Sequence, residues 1–278
     1  MQINNLCKSY GTFALKDVSF ALGAGEIMGF IGRNGAGKTT TLKSLLNLTH
    51  PDSGKISFFG MDFLEHESEI KQRIGYAAGG MSYYSRKRIC DIAKVTSGFY
   101  DEWSFDEYRR LLSLFKLDDK KRVIDLSEGM KVKFHLALAL SHNARLLILD
   151  EPTSGLDPVS RDELLELFMQ IAKGGTAILF STHITSDLDK CADKITYISC
   201  GKIIDSRKTD DFIGKYRLVN LSGDISDIQR AAILGESVNR HGITALIYAE
   251  NAKLFDGEFT EPDLETIMVH LEKEEKAL

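Results

Sequence analysis

The sequence predicts an α/β protein with a parallel-sheet core, an antiparallel β subdomain, an inserted α-helical subdomain and a small C-terminal α+β appendage. Three observations lead there. Short apolar runs alternate with helical patterns along much of the 278-residue chain. A glycine-rich run, Gly32-Arg33-Asn34-Gly35-Ala36-Gly37-Lys38-Thr39, follows one such strand and opens a helix. A second run, Leu146-Leu147-Ile148-Leu149-Asp150-Glu151, reads as a buried strand ending in two carboxylates.

In chain order, Ile3 to Ser9, Phe13 to Leu22 and Lys55 to Phe59 read as strands with turns between them, the antiparallel group. Ile27 to Ile31 reads as a buried strand, and Lys38 to Leu48 has the apolar spacing of a helix. From Arg86 to Leu117 the pattern turns helical, with Tyr108, Leu111, Leu112 and Phe115 on one face; the helical subdomain is placed at about 80–123. A helix is expected from Ser127 to His142. Another, from Pro158 to Lys173 with proline in its first turn, separates the strand at Leu146 from one at Thr176 to Phe180, which makes a parallel crossover. Beyond Ser206 the character changes: a helix at Asp224 to Ala232, a strand at Ile243 to Ala249 and a helix opened by Glu261-Pro262-Asp263. The division is therefore 1–215 for the main domain and 216–278 for the appendage.

Composition narrows the class. A hydrophobic content of 43% supports a substantial core, and a net charge of -5 with signs interspersed offers no basic face for nucleic acid. No apolar stretch reaches spanning length, and Met1-Gln2-Ile3-Asn4-Asn5 has no export-signal pattern, so a chain that neither spans a membrane nor is secreted is expected. Cys7, Cys90, Cys191 and Cys200 are scattered, without metal-site spacing, and are read as reduced.

The glycine run fits G-x-x-x-x-G-K-[ST] at every specified position. Gly32, Gly35 and Gly37 let backbone N–H groups curl around an anion, and the helix start adds partial positive charge. Asn34 lies in the same loop. Lys38 is expected to reach the β- and γ-phosphates of a nucleotide, with Thr39 as a Mg²⁺ ligand and Thr40 beside it. The fold is then of the P-loop NTPase kind. Ligands in open parallel sheets sit beyond the carboxyl ends of strands, which brings Asp150 and Glu151 to the same edge. Asp150 suits Mg²⁺, directly or through water, and Glu151 suits the orientation or deprotonation of an attacking water. His183 follows the next strand and emerges there too. A neutral imidazole can hydrogen-bond a γ-phosphate or that water, although a histidine at a strand end is more often only a satisfied polar group.

Together these motifs resemble the ATP-binding-cassette ATPases, the motor subunits of membrane transporters. Leu126-Ser127-Glu128-Gly129-Met130 is similar to the family's LSGGQ signature, and Ser154-Gly155-Leu156-Asp157 matches its D-loop. His183 matches the switch histidine, and Tyr10 in Lys8-Ser9-Tyr10-Gly11 matches the aromatic that stacks on adenine. The resemblance, over about 1–206, implies ATP and Mg²⁺ as cofactors and catalytic roles for Glu151 and His183. It also implies a head-to-tail dimer, homomeric or of unlike cassettes, in which Ser127 and Gly129 of one protomer close over the ATP of the other and Asp157 lies at the interface. An integral membrane subunit would be the further partner, docking against a groove for which Tyr83, Tyr84 and Phe99 are candidates, and the chain would sit at the cytoplasmic face of the membrane.

Two departures stand out. Gly79 occupies the position where the family carries a glutamine, so a slowly hydrolysing, nucleotide-sensing subunit is the alternative reading; a soluble cassette acting on nucleic acid or ribosomes is disfavoured by the lack of a basic face. Glu128 puts a negative charge into the signature, a cost near a polyphosphate unless it points away. The variant signature and the tail from Glu261 to Met268 resemble the bacterial export branch associated with bacitracin and phenol-soluble modulins.

Overall fold

The computed structural model describes residues 1–78, 84–221, 225–239 and 242–274. Gly79, Tyr83 and Asp224 therefore lie outside the described residues.

The strands are β1 (Gln2–Tyr10), β2 (Phe13–Ala21), β3 (Ile27–Ile31), β4 (Ser53–Phe58), β5 (Met61–Asp62), β6 (Ile74–Ala78), β7 (Leu146–Asp150), β8 (Ala177–Thr182), β9 (Lys194–Ser199), β10 (Lys202–Lys208), β11 (Tyr216–Leu221), β12 (Ile233–Asn239), β13 (Gly242–Tyr248) and β14 (Phe259–Thr260). The helices are α1 (Lys38–Leu45), α2 (Glu67–Lys71), α3 (Ile89–Ser97), α4 (Phe105–Leu114), α5 (Glu128–Leu140), α6 (Pro158–Lys173), α7 (Thr185–Cys191), α8 (Thr209–Gly214), α9 (Asp227–Ala232) and α10 (Leu264–Glu274).

The described strands form three sheets. The central one runs β10-β9-β3-β8-β7-β6, parallel throughout except for the antiparallel edge pair β9 and β10. Its middle strands are buried along their whole length, which is why β3, β7 and β8 read as unbroken apolar runs rather than alternating ones. An antiparallel sheet β2-β1-β4-β5 packs beside it through Leu6, Val18, Phe58 and Phe63, which meet Met28, Phe30, Leu42 and Leu45 in one buried cluster. Helices α3 and α4 form the inserted layer. Tyr108, Leu111, Leu112 and Phe115 are all buried there, against α5 residues such as Phe134 and Ala137. Ser104 caps α4 by accepting from the Glu107 amide, and Pro158 starts α6 behind the Asp157 cap.

The third sheet, β12-β13-β11-β14, starts at Tyr216. It shares apolar packing with the preceding chain: Tyr216, Leu246, Leu264 and Ile267 belong to the same buried cluster as Leu188 and Phe212. The expected helix of the appendage is shorter than the pattern suggests, starting at Asp227, because Ser226 and Gln229 form a reciprocal capping box there. Strands β9 to β12 form where the sequence pattern does not announce strands. β9 is short and buried, and β10 alternates only weakly.

Candidate functional site

Register decides what meets at the sheet edge. Parallel pairing sets Ile31 beside Thr182 and Asp150 beside Ser181, so the residues that follow (Gly32, Glu151 and His183) leave adjacent strands at one level.

The phosphate loop is held by close packing that excludes side chains. At Gly32, with φ 157°, a Cβ would stand 2.2 Å from the Ile198 carbonyl oxygen. At Gly37, with φ 114°, it would press into Leu15 and Phe13, at 2.7 and 2.9 Å. Phe13 is the cross-strand partner of Tyr10, so this contact sets the Tyr10 turn beside the loop. Tyr10 is 43% exposed at the end of β1, with Lys8 Nζ 5.6 Å from its ring centre. Asn34 and Gly35 are exposed at the crest of the loop, Thr39 is exposed at the start of α1, and Thr40 is half-buried.

Lys38 is buried. Its ammonium donates to the carbonyls of Gly32 (2.7 Å) and Arg33 (3.3 Å) and pairs with Glu151 Oε1 at 3.4 Å. The other Glu151 oxygen accepts from His183 Nδ1 at 2.8 Å. A carboxylate only accepts, so Nδ1 carries the proton and, in a neutral ring, Nε2 is the acceptor. Lys38, Glu151 and His183 thus form one chain of contacts, and the half-exposed imidazole is its open end.

Asp150 is kept apart from this chain. It is buried at the end of β7 and accepts from the Ser181 hydroxyl at 2.5 Å. The same hydroxyl accepts from the Glu151 amide at 3.0 Å. Ser181 therefore positions both carboxylates, a role that the sequence reading missed; the signal available was its place two residues before His183 on the neighbouring parallel strand. Among the described residues no group of three or more His, Cys, Asp or Glu could hold a metal by itself. What the edge offers a cation is the Asp150 carboxylate and the Thr39 hydroxyl. That sparse oxygen set fits Mg²⁺, which keeps several waters and takes the rest of its ligands from phosphates.

Ser127, Gly129 and Asp157 are not brought into that cluster; among the described residues no hydrogen bond or ion pair joins them to Lys38, Glu151 or His183. They gather around the starts of α5 and α6. Ser127 caps α5, accepting from the Met130 amide at 3.3 Å. A Cβ at Gly129 would make ordinary contact with Leu156 and Ser160 at 3.6 Å. Asp157 caps α6, accepting from the amides of Val159 and Ser160 at 3.1 Å, and hydrogen bonds from Ser160 hold its carboxyl below the usual range. The Glu128 charge is met by Lys131 at 2.6 Å, one turn along the helix, so its cost in the signature is offset locally.

The sequence reading also did not anticipate that the C-terminal helix reaches this edge. Glu265, Met268 and Val269 of α10 wall a cleft of about 540 Å³ whose other side is Gly32, Arg33 and the segment from His183 to Ser186.

Comparison with known proteins follows the same lines. A family model described as ABC transporter matches residues 15–154. The bacitracin transport ATP-binding protein BcrA of Bacillus licheniformis is 36% identical over 242 residues, covering 85% of this chain and 78% of that protein. Its counterpart of the same name in Enterococcus faecalis is 31% identical, with the same coverage of 85% and 78%. A solved structure described as the ATP-binding subunit of an ABC transporter matches with a TM-score of 0.69 at 29% identity, over 76% of this chain and 90% of that one.

Proposed function

The chain belongs to the ABC transporter family as an ATP-binding subunit, an ATPase that powers transport, and we propose that it hydrolyses Mg–ATP between two cassettes to drive export through a separate membrane subunit. The observation that carries the reading is Glu151, held between Lys38 and His183 at the edge where the phosphate loop ends. In this reading the loop amides and Lys38 bind the β- and γ-phosphates, and Tyr10 stacks on the base. Glu151 orients the attacking water and takes its proton, while His183, its Nδ1–H given to Glu151, presents Nε2 as an acceptor for that water and would donate toward the γ-phosphate once nucleotide replaces the Glu151 contact. Thr39 and Asp150 would hold Mg²⁺, which when bound neutralises phosphate charge.

Ser127 and Gly129 would serve the ATP of a second protomer. Their separation from the Lys38 cluster supports this, because a helix start that does not face its own phosphate loop is free to face another. Asp157 would then lie at the shared interface. The division into a main domain at 1–215 and an appendage at 216–278 belongs to the same reading.

Export of a peptide or drug is supported by the two relatives named for bacitracin transport. Among the described residues no helix is long and apolar enough to cross a membrane, so the conducting path would belong to another subunit. Tyr84 and Phe99, 70% and 71% exposed, are the proposed apolar docking points for it, which would place the chain at the cytoplasmic face.

Gly79 favours a second reading, a slowly hydrolysing sensor. One comparison separates the two: ATP turnover of the wild type against Glu151→Gln, with ATP-dependent dimerisation followed by size-exclusion chromatography. Export predicts turnover about 10²-fold above the variant, and a dimer trapped by the variant with ATP. Equal turnover, with dimerisation intact, selects the sensor.

A further inference from the structure

Three buried polar side chains, Asp187, Thr153 and Arg161, meet behind the reactive edge through loose contacts, with Asp187 Oδ2, Thr153 Oγ1 and Arg161 Nε short of ideal hydrogen-bond geometry. Asp187 is 1% exposed and lies in the first turn of α7, four positions beyond His183. Thr153 is fully buried two positions beyond Glu151. Arg161 is anchored one turn into α6, its amide bonded to the Asp157 carbonyl at 3.0 Å. Its Nε stands 3.9 Å from Asp187 Oδ1, an ion pair stretched beyond hydrogen-bond range.

Burial pushes the Asp187 carboxyl above its ordinary range, opposed by the nearby Thr153 hydroxyl and by Arg161. Buried polar groups are normally held by well-formed hydrogen bonds, and native interiors keep few that are not. A buried trio this loosely joined, each member on a segment that carries a different site residue, calls for a role. A small relative shift of α6 and α7 is enough to bring such groups into hydrogen-bond range.

We propose that Asp187 is a positioning residue, the centre of a latch with Thr153 and Arg161 that ties the segments bearing Glu151, Asp157 and His183 and sets the imidazole against the Glu151 carboxylate. The inference rests on the reading that Glu151 and His183 serve ATP hydrolysis. It adds a route by which movement at Asp157 reaches His183 through packed groups rather than through the nucleotide.

The full chain is compared as wild type, Asp187→Asn, Thr153→Val, the double variant and Glu151→Gln. ATP turnover, thermal melting and amide hydrogen exchange are measured. Asp187→Asn is expected to lower kcat about 10-fold and Thr153→Val about 3-fold, each with KM within about 2-fold, and the double variant to match Asp187→Asn rather than the product of the two. Exchange at 153–157 and 183–186 should quicken together in either single variant, while the loop at 32–40 keeps its protection. Full additivity, or faster exchange confined to the neighbourhood of the substituted residue, overturns the latch. So does a fall in melting temperature with kcat per folded molecule unchanged. Wild-type turnover no faster than Glu151→Gln overturns the underlying reading instead, and the exchange pattern then decides the latch without reference to turnover.

Discussion

Ser181→Ala tests the least obvious part of the site. The wild-type hydroxyl is fully buried, donates to Asp150 Oδ1 at 2.5 Å and accepts from the Glu151 amide at 3.0 Å. Removing it does not orphan the amide, which keeps the Ser181 carbonyl at 3.1 Å. The net loss is therefore one bond to a buried carboxylate, about 1.5–3 kcal/mol for a charged partner. For a chain of this length, with an unfolding entropy of about 2.1 cal/mol/K per residue, that corresponds to a drop in melting temperature of roughly 3–5 °C. The functional consequence is separate: Asp150 loses the contact that fixes its orientation, so turnover should fall about 10-fold or more while the loop that binds phosphate stays formed. Calorimetric melting and steady-state ATP turnover, with ATP affinity measured alongside, give the three readouts. Ser181→Cys, nearly isosteric and a weak donor, should recover part of both losses. A variant melting within about 1 °C of wild type and hydrolysing at the wild-type rate would refute the assigned role of the hydroxyl.

Lys38→Met should weaken ATP binding by at least about 10-fold, since it removes a phosphate partner and also leaves Glu151 Oε1 without its cation; isothermal titration of ATP into the variant measures it. Gly32→Ala should abolish ATP binding or folding of the loop, because the clash at 2.2 Å is with the backbone of β9 and cannot be relieved by a rotamer change; nucleotide protection of the loop amides reports it. Lys215→Met probes the seam before β11. Asp205 is buried, yet Arg207 at 2.7 Å and Lys215 at 2.9 Å hold its carboxyl below the ordinary range. A carboxyl lowered on folding adds stability that is fully present above its unfolded pKa of about 4 and is lost as pH falls through the folded value. The variant should therefore be about 1–2 kcal/mol less stable at neutral pH, and the gap to wild type should close below about pH 4 in urea titrations.

Much of this molecule could be read from residue order because the candidate site residues sit at the ends of short buried strands. The runs Ile27–Ile31, Leu146–Asp150 and Ala177–Thr182 announce themselves as parallel core, and each is followed at once by its functional residue. What the sequence could not supply is register. Ser181 gains its importance only because Asp150 is paired with it across two strands about thirty positions apart in sequence. The same holds for Asp187, whose partners Thr153 and Arg161 come from other segments and whose own surroundings in sequence look like an ordinary helix start. The α10 wall of the cleft was illegible for another reason. An amphipathic helix declares that it packs, but Leu264 and Ile267 do not say against which surface.

The adjacent carboxylates show how one backbone angle divides a charge pair into two chemistries. Had β7 continued through Glu151, alternation would have sent the two side chains to opposite faces of a buried sheet, and one carboxylate would have been lost to the reactive edge. Instead Glu151 adopts φ 51°, a left-handed conformation that costs a non-glycine residue about 1 kcal/mol or more. The turn is held by its amide, which donates to both the carbonyl and the hydroxyl of Ser181. Asp150 stays at the strand end against Ser181, and Glu151 swings to Lys38 and His183. Two like charges on adjacent residues thereby acquire different partners and avoid sharing one site. In the proposed reaction the backbone strain at Glu151 is part of the machinery: the carboxylate that would ligate a cation and the one that would take a proton are kept on adjacent residues, at one strand end, with separate partners.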